Sequence, residues 1–475
     1  MKGEECDMEK IILYGAGIRG KRYADQMNEW GSLVSYFVDR NPEKIGTIVQ
    51  NIPIISVEQL KEMDGYQLYI TPKECDGIVE GLIKDGIPEA NILSGFGMMA
   101  TGWGASNLVE KILERKKESK VETVFFDCEN GICLGGVESW CLDVGKGLAQ
   151  RGHRVRYIAK KLPIELPDEL EKQMDYVRIQ NSHLFEKQAV EDMITVIANN
   201  LPCTVIACMP DEVMVAACAV KRVAGDKVRI ISAMHNDISD YYEKNLALDK
   251  YIDSYICVSQ KIQDEMKKRV LHPGRVYRKV SPIVHDKKLE RSYTKNGEKI
   301  KLGLAGRLEV QQKRLDLLVP LLFKLKLRNV DYVLELAGDG SYLPEIRREV
   351  ERFELEDNII IHGRIDNNKM SEFWMRQDVC INLSDFEGRS LSVMEAMAAG
   401  AVPVLTDTSG NEDIIEGENG FVVPLEDIDK MAEIIERLAA DKEKLSNMGA
   451  KAHEVIVREC GYDSYITFVE GLLWR

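Results

Sequence analysis

The chain repeats one pattern three times: a short apolar run, a turn, and then an amphipathic segment with helical spacing. Apolar runs bounded by turn residues predict buried strands, and their alternation with amphipathic helices predicts doubly wound α/β sheets. The pattern starts near Lys10 and restarts at Val121 and Ile300. The sequence therefore predicts an N-terminal unit (1–100), a linker (101–120), a middle unit (121–292), a C-terminal unit (298–460) and a last helix (461–475).

The first unit carries a glycine pattern directly after its first strand. Gly15, Gly17 and Gly20 follow the strand Lys10–Tyr14 and precede a helix predicted from Lys21 to Trp30, and Asp39 ends the second strand. This order of strand, GxGxxG, helix and carboxylate favours a Rossmann-like unit. Since such glycines also allow tight helix packing, the sequence leaves open whether the loop binds NAD, another nucleotide or nothing.

The middle unit has two candidate positions. Gly135 and Gly136 follow the strand Val121–Phe126, in a loop that could bring backbone amides close to a phosphate or a sugar, although a plain tight turn would have the same composition. His235 ends a strand that starts at Val228. A histidine there is either structural or part of a site.

Two cations follow the first strand of the C-terminal unit. Arg307 lies at the end of the strand Ile300–Ala305, and Lys313 lies near the start of a helix predicted over 314–328. Both side chains and the helix dipole can converge on one anion, which is notable in an acidic chain. The alternative is a solvated basic pair.

Two glutamates stand in the most distinctive stretch, 384–420. Glu387 sits beside Gly388 in a loop after the predicted strand Asp378–Leu383, and Glu395 sits in an Ala- and Met-rich helix that Ser390 or Ser392 could cap. The two carboxylates are therefore not a helical surface pair. In open α/β sheets, ligands bind beyond the carboxyl ends of strands, where this loop is expected.

Composition narrows the class of protein. With 475 residues and a net charge of -15, the chain is a multi-unit globular protein whose surface repels phosphate backbones, so general nucleic-acid binding is excluded. The 11 cysteines contain no CxxC and favour reduced, buried thiols over disulfides or a metal site, which predicts a cytoplasmic protein. Met1–Lys10 is polar and predicts no signal peptide, and no apolar run is long enough for a membrane span.

The ordered set Gly136, His235, Arg307, Lys313, Glu387 and Glu395 resembles the retaining family-four glycosyltransferases over roughly 121–475. The resemblance implies the B-type fold, with two facing Rossmann-like domains, here preceded by an N-terminal Rossmann-like module. It implies a donor that is a nucleotide-diphosphate sugar, expected to be UDP-linked, a hydroxyl acceptor, no required cofactor or metal, and a last helix that crosses back onto the middle unit. Peripheral membrane contact and the oligomeric state are left open.

The same resemblance assigns roles to residues. It implies that Arg307 and Lys313 hold the diphosphate, that Glu395 binds the ribose and that Glu387, beside Gly388, contacts the transferring sugar. Gly136 would contact the donor phosphate or the acceptor, and His235 would lie near the sugar. Polysaccharide or glycoconjugate synthesis is the expected setting.

Two other functions stay open. One is a non-catalytic sensor of sugar nucleotides. The other is a sugar-nucleotide epimerase or dehydrogenase that uses Gly15 to Asp39, although Pro72 interrupts the helix that its Tyr69-x3-Lys73 pair would need.

Overall fold

The computed structural model describes residues 10–29, 33–72, 76–88, 91–94, 105–115, 121–128, 135–159, 175–179, 187–209, 211–283 and 289–473. Within these ranges the strands form three sheets that follow one another along the chain. Nearly all strand pairs are parallel, which confirms the predicted doubly wound α/β class.

The first sheet has the order β3-β4-β2-β1-β5-β6, and its single antiparallel pair is β3 with β4. The chain turns to opposite sides of β1, so this sheet has its switch point where the glycine loop follows β1. Its elements are β1 (Lys10–Tyr14), α1 (Ile18–Glu29), β2 (Val34–Val38), β3 (Ile48–Val49), β4 (Ile52–Ile55), α2 (Val57–Lys61), β5 (Tyr66–Ile70), α3 (Asp76–Lys84) and β6 (Ile92–Ser94).

The middle sheet has seven strands in the order β13-β12-β11-β10-β7-β8-β9. Its central strands β7 and β10 are buried along their whole length, as expected for a parallel sheet covered on both faces. The elements are α4 (Ala105–Arg115), β7 (Thr123–Asp127), α5 (Gly136–Gln150), β8 (Arg154–Ala159), β9 (Tyr176–Arg178), α6 (Lys187–Asn199), β10 (Cys203–Ala207), α7 (Glu212–Ala224), β11 (Val228–Met234), α8 (Ser239–Ala247), β12 (Ser254–Cys257), α9 (Gln260–Arg269) and β13 (Val276–Arg278).

The C-terminal sheet has six strands in the order β16-β15-β14-β17-β18-β19. The elements of this unit and of the last helix are β14 (Ile300–Ala305), α10 (Leu318–Leu327), β15 (Tyr332–Ala337), α11 (Leu343–Arg352), β16 (Ile359–Gly363), α12 (Asn367–Met375), β17 (Val379–Asn382), α13 (Leu391–Ala398), β18 (Val402–Thr406), β19 (Phe421–Val423), α14 (Ile428–Ala440), α15 (Lys442–Glu459) and α16 (Tyr462–Leu472).

Two helices connect the units through buried apolar side chains. Helix α4, in the predicted linker, places Val109 fully buried in the middle core, beside α6 and α7. Helix α16 lies against α5 of the middle unit, where the indole of Trp140 donates to the hydroxyl of Tyr465 at 3.1 Å. The last helix therefore ties the end of the chain to the middle sheet rather than to the sheet that precedes it.

Several predicted helix ends need correction. The helix predicted from Arg314 begins at Leu318, after a 3₁₀ turn at 315–317, because Arg314 has a left-handed φ of 49°. Helix α1 begins at Ile18, and its predicted last residue, Trp30, lies outside the described residues. Ser390 occupies the N-cap position of α13 but makes no side-chain capping bond, since its hydroxyl pairs with that of Ser392 at 3.1 Å.

No helix in the described ranges is both long enough and apolar enough to cross a lipid bilayer.

Candidate active site

Lys313 and Glu387 meet between two loops of the C-terminal unit. Lys313 Nζ lies 2.5 Å from Glu387 Oε1, and both side chains are mostly buried, with 19% and 9% exposed. The hydroxyl of Ser384 donates to the same carboxylate oxygen at 2.8 Å. Because the loops follow the neighbouring strands β14 and β17, the parallel sheet brings their ends together. The structure thus joins one residue from each predicted pair.

Further polar contacts fix these two loops. Gln312 donates to the carbonyl of Phe386 at 3.1 Å, and Asp385 N donates to the carbonyl of Gln312 at 2.9 Å. Arg314 Nη1 lies 2.9 Å from Asp385 Oδ1 and 2.7 Å from Glu426 Oε1. Gln312, Arg314 and Ser384 were not predicted as site residues from the sequence. The polar run from Gln311 to Arg314 was the one available signal.

Arg307 occupies a more open position. Its side chain is 67% exposed and lies 3.5 Å from Glu309, whereas Lys313 is almost enclosed. Burial raises the pKa of Glu138 in α5 of the middle unit, while its backbone hydrogen bond and the Arg307 cation act in the opposite direction. Arg307 is therefore a solvent-exposed cation with one loose ion pair, whereas Lys313 is a mostly buried cation held by Glu387.

Gly388 packs closely against the middle unit. A methyl group added at Gly388 would lie 1.9 Å from the carbonyl oxygen of His235. No side chain fits at that distance, so the turn that carries Glu387 rests directly on the end of β11. The structure therefore brings His235, Gly388 and Glu387 together at one junction between the two units.

His235 presents a neutral ring at this junction. Its ring centroid lies 4.7 Å from that of Trp140 in an edge-on arrangement, and its buried Nε2 has no hydrogen-bond partner among the described residues. Burial lowers the pKa of His235 to about 4. At neutral pH this imidazole is therefore uncharged, and its Nε2 retains unused hydrogen-bonding capacity.

Glu395 lies on α13, in the segment that follows the Glu387 turn. Burial raises the pKa of Glu395 to about 7. The Trp374 indole lowers this pKa, and the charge of Asp143 in α5 raises it slightly. The carboxyl group therefore changes its charge near neutral pH.

Gly136 begins α5 and faces the start of α13. A methyl group on Gly136 would lie 3.3 Å from Leu391 Cδ1, at the start of α13. The N-termini of α5 and α13 thus approach each other at the cleft. Four backbone amides at each N-terminus lack partners within the helix, which favours an anion between them.

The glycine loop of the N-terminal unit is built differently. Gly15 has a φ of 94°, Gly17 has open space around it, and a methyl group on Gly20 would lie 1.9 Å from the carbonyl oxygen of Gly15. Asp39 accepts from Ala16 N at 3.1 Å and lies 2.8 Å from Lys44 Nζ. Burial alone would raise the pKa of Asp39. Hydrogen bonds from Lys44, Asn41 and Ala16 outweigh burial, so the pKa of Asp39 is lowered overall. The carboxylate is thus engaged within its own unit.

The described residues hold no cluster of three or more His, Cys, Asp or Glu side chains placed to bind a metal ion. Lys73 of the predicted Tyr69-x3-Lys73 pair lies outside the described residues, while Tyr69 is on β5, a strand rather than a helix.

Two family models match the part of the chain that contains the site. The model for glycosyltransferase family 4 matches 134–278, and the model for glycosyl transferases group 1 matches 285–455, which together make about two thirds of the chain. The chain belongs to the glycosyltransferase family whose two consecutive domains these models describe. The matches favour neither the non-catalytic sensor nor the epimerase or dehydrogenase.

The glycosyltransferase also resembles individual proteins. It is 24% identical over 365 residues, 72% of this chain and 94% of the relative, to the N-acetyl-alpha-D-glucosaminyl L-malate synthase of Bacillus anthracis. It is 27% identical over 161 residues, 33% of this chain and 32% of the relative, to the poly(ribitol-phosphate) alpha-N-acetylglucosaminyltransferase of Staphylococcus aureus.

Solved structures confirm the fold of the glycosyltransferase. HepE of Anabaena, in complex with UDP and glucose, aligns with a TM-score of 0.62 at 16% identity, covering 74% of this chain and 98% of HepE. TarM of S. aureus, in a complex that contains UDP, aligns with a TM-score of 0.61 at 12% identity, covering 74% of this chain and 99% of TarM. These likenesses confirm the B-type arrangement of two facing Rossmann-like domains.

Proposed function

We propose that this glycosyltransferase moves a sugar from a UDP-linked donor to a hydroxyl acceptor with retention at the anomeric carbon. The observation that carries the proposal is the buried contact of Lys313 with Glu387, which lies against His235 through Gly388. One cation and one carboxylate at this junction can each hold one end of an activated sugar.

The diphosphate end would be held by cations and helix amides. Breaking the bond between sugar and phosphate leaves negative charge on the diphosphate, and groups fixed in place before the reaction stabilise that charge best. Lys313 is already anchored, whereas the exposed Arg307 can turn to the phosphates when the donor enters. The N-termini of α5 and α13, with Gly136 between them, add partial positive charge. This leaving-group stabilisation requires no metal.

The sugar end would meet Glu387 and His235. With one oxygen of Glu387 bound to Lys313 and Ser384, the carboxylate can accept a sugar hydroxyl on its other oxygen, to which Gln312 contributes a longer contact of 3.4 Å. Within the part of the chain that the structure describes, His235 Nε2 has no hydrogen-bond partner, so it can bind a second sugar hydroxyl. For retention, the leaving phosphate would accept the proton of the acceptor hydroxyl as that oxygen attacks the same face.

Glu395 would bind the ribose. An ionised carboxylate accepts hydrogen bonds from vicinal hydroxyl groups better than a neutral carboxyl does. Since its pKa lies at about 7, nucleotide binding should hold the carboxyl in its charged form. Gly388 completes the donor site by allowing the turn to approach the middle unit.

The choice of donor and setting follows from the relatives. UDP is named in the complexes of HepE and TarM, and two relatives are named as transferases of N-acetylglucosaminyl groups or synthases of such products. We therefore propose that the enzyme acts in glycoconjugate or polysaccharide synthesis. A cytoplasmic location and peripheral membrane contact stay predictions.

A nucleotide in the N-terminal module stays a prediction. Gly15, Gly17 and Gly20 make the expected turn, but the carboxylate of Asp39 already has partners. Calorimetric titration with UDP and with NADH would count the sites. Two sites, one of which disappears in Asp39→Ala, would support the prediction.

The donor site has its own test. A thermal-shift screen of nucleotide sugars on wild type, Lys313→Ala and Glu395→Ala should find a UDP-sugar that stabilises only the wild type strongly. Equal stabilisation of all three proteins would refute the donor site. Release of UDP in the presence of a hydroxyl acceptor would then establish transfer.

A further inference from the structure

Arg389 follows Gly388 but is directed into the protein. Its side chain is only 3% exposed, and its Nη2 lies 2.7 Å from Asp413 Oδ2. Its Nε lies 3.0 Å from Met394 Sδ, on α13. Because the guanidinium is buried and paired, it fixes the turn that carries Glu387 to Asp413 and to helix α13.

Asp413 extends this contact to the middle unit. Arg278, the last residue of β13, places Nη2 3.4 Å from each of the two carboxylate oxygens of Asp413. The side chains of Arg278 and Asp413 are 23% and 17% exposed, so solvent screens their attraction only partly. One carboxylate therefore joins guanidinium groups from two different units.

The loop around Asp413 makes further contacts with both units. Ser409 Oγ lies 2.8 Å from Ser259 Oγ in a buried pair, and Lys261 N donates to Glu412 Oε1 at 3.3 Å. A methyl group on Gly410 would lie 2.4 Å from the carbonyl oxygen of Gly388. The loop 409–413 is thus wedged between the middle unit and the Glu387 turn, and a shift of one would move the other.

We propose that Arg278 is a positioning residue for the donor sugar. Through Asp413 and Arg389 it sets the place of the Glu387–Gly388 turn whenever the two units are together. The inference rests on the proposed function, since it assigns the turn to the sugar and the Lys313 loop to the diphosphate. Arg278 itself acts through Asp413 and Arg389 and is not a catalytic residue.

The experiment separates the sugar from the nucleotide. Isothermal calorimetry would measure Kd for UDP, UDP-glucose and UDP-N-acetylglucosamine with wild type, Arg278→Gln, Arg278→Lys and Glu387→Gln. We expect Arg278→Gln to change the Kd of UDP less than about twofold but to weaken the better UDP-sugar about tenfold, because a misplaced contact loses binding without removing the group. Arg278→Lys should recover part of the loss.

A double-mutant cycle gives the second readout. If Arg278 acts through the Glu387 turn, then Arg278→Gln should have little further effect on sugar binding once Glu387→Gln is present. Arg151→Gln is the matched control: Arg151 is also partly exposed, at 29%, and pairs with Glu470 of the last helix, away from the turn. It should leave all three Kd values unchanged.

Three outcomes are decisive. Equal weakening of UDP and UDP-sugar by Arg278→Gln, or additive effects with Glu387→Gln, would overturn the positioning role while leaving the donor site intact. If wild type binds neither UDP nor the sugars, the proposed function fails and the inference falls with it. Circular dichroism and the melting temperature would confirm that each variant is folded.

Discussion

The C-terminal and N-terminal units both place a glycine turn after a strand and a lysine against a carboxylate, yet they use them differently. In the N-terminal unit, Lys44 and Asp39 lie 2.8 Å apart on neighbouring segments, and Asp39 also closes the glycine loop through Ala16. In the C-terminal unit, Lys313 and Glu387 come from loops 74 residues apart, at a junction with another unit. A glycine turn with a carboxylate thus indicates a fold, whereas convergence of distant loops indicates a site.

The largest expected difference between the two units comes from replacing the lysine of each ion pair. Lys313→Met should lower UDP-sugar turnover about 10²–10³-fold, the loss found when one fixed charge-stabilising group is removed. Lys44→Met, the matched change in the N-terminal pair, should alter turnover less than about twofold, as expected for a surface substitution away from a site. Steady-state rates of UDP release measure both. Comparable losses in the two variants would contradict the contrast.

The two crowded glycines give the next test. Added methyl groups at Gly388 and Gly20 would both lie 1.9 Å from a carbonyl oxygen, that of His235 and that of Gly15. Gly388→Ala should reduce turnover about 10²-fold by displacing the Glu387 turn. Gly20→Ala should instead lower the free energy of unfolding by about 1–3 kcal/mol, as overpacking does. Chemical denaturation and turnover, measured on both variants, would show whether the effects separate in this way.

Glu395 should give the proposed donor site a pH-dependent stability. Burial raises its pKa from 4.5 to about 7, so the native state holds a proton that the unfolded state releases. This contribution to stability is complete below pH 4.5 and is lost as pH rises to about 7, by at most about 3 kcal/mol. Glu395→Gln should flatten that part of the stability curve. A wild type and variant with parallel curves from pH 4.5 to 8 would contradict the assignment.

Asp39 should show the smallest effect, with the opposite sign. Its pKa is lowered in the folded state, so its contribution to stability is complete above the unfolded value of 3.8 and is lost as pH falls through the lower folded value. Asp39→Asn should reduce stability at neutral pH and narrow its difference from wild type in acid. Denaturant unfolding at pH 7 and at pH 3 measures this. A difference that grows in acid would contradict it.

Much of the candidate site could be predicted from the sequence because its signals are local. Arg307, Lys313, Glu387 and Glu395 follow apolar strands, and parallel strands end at one edge of a sheet. The strand Ile300–Ala305 was predicted residue for residue, since its apolar run ends sharply at Gly306. Helix starts were less accurate, because Arg314 adopts a left-handed conformation that its residue type does not predict.

The sequence by itself determined the α/β class, the three repeats and the residues that carry charge at the ends of strands. These depend on periodicity and on turn residues, which act over a few positions. Only the tertiary structure decided which of them meet: Lys313 with Glu387, Gly388 with His235, and Arg278 with Asp413 and Arg389. Contacts between residues far apart in the chain depend on how whole sheets pack, and no local pattern encodes that packing.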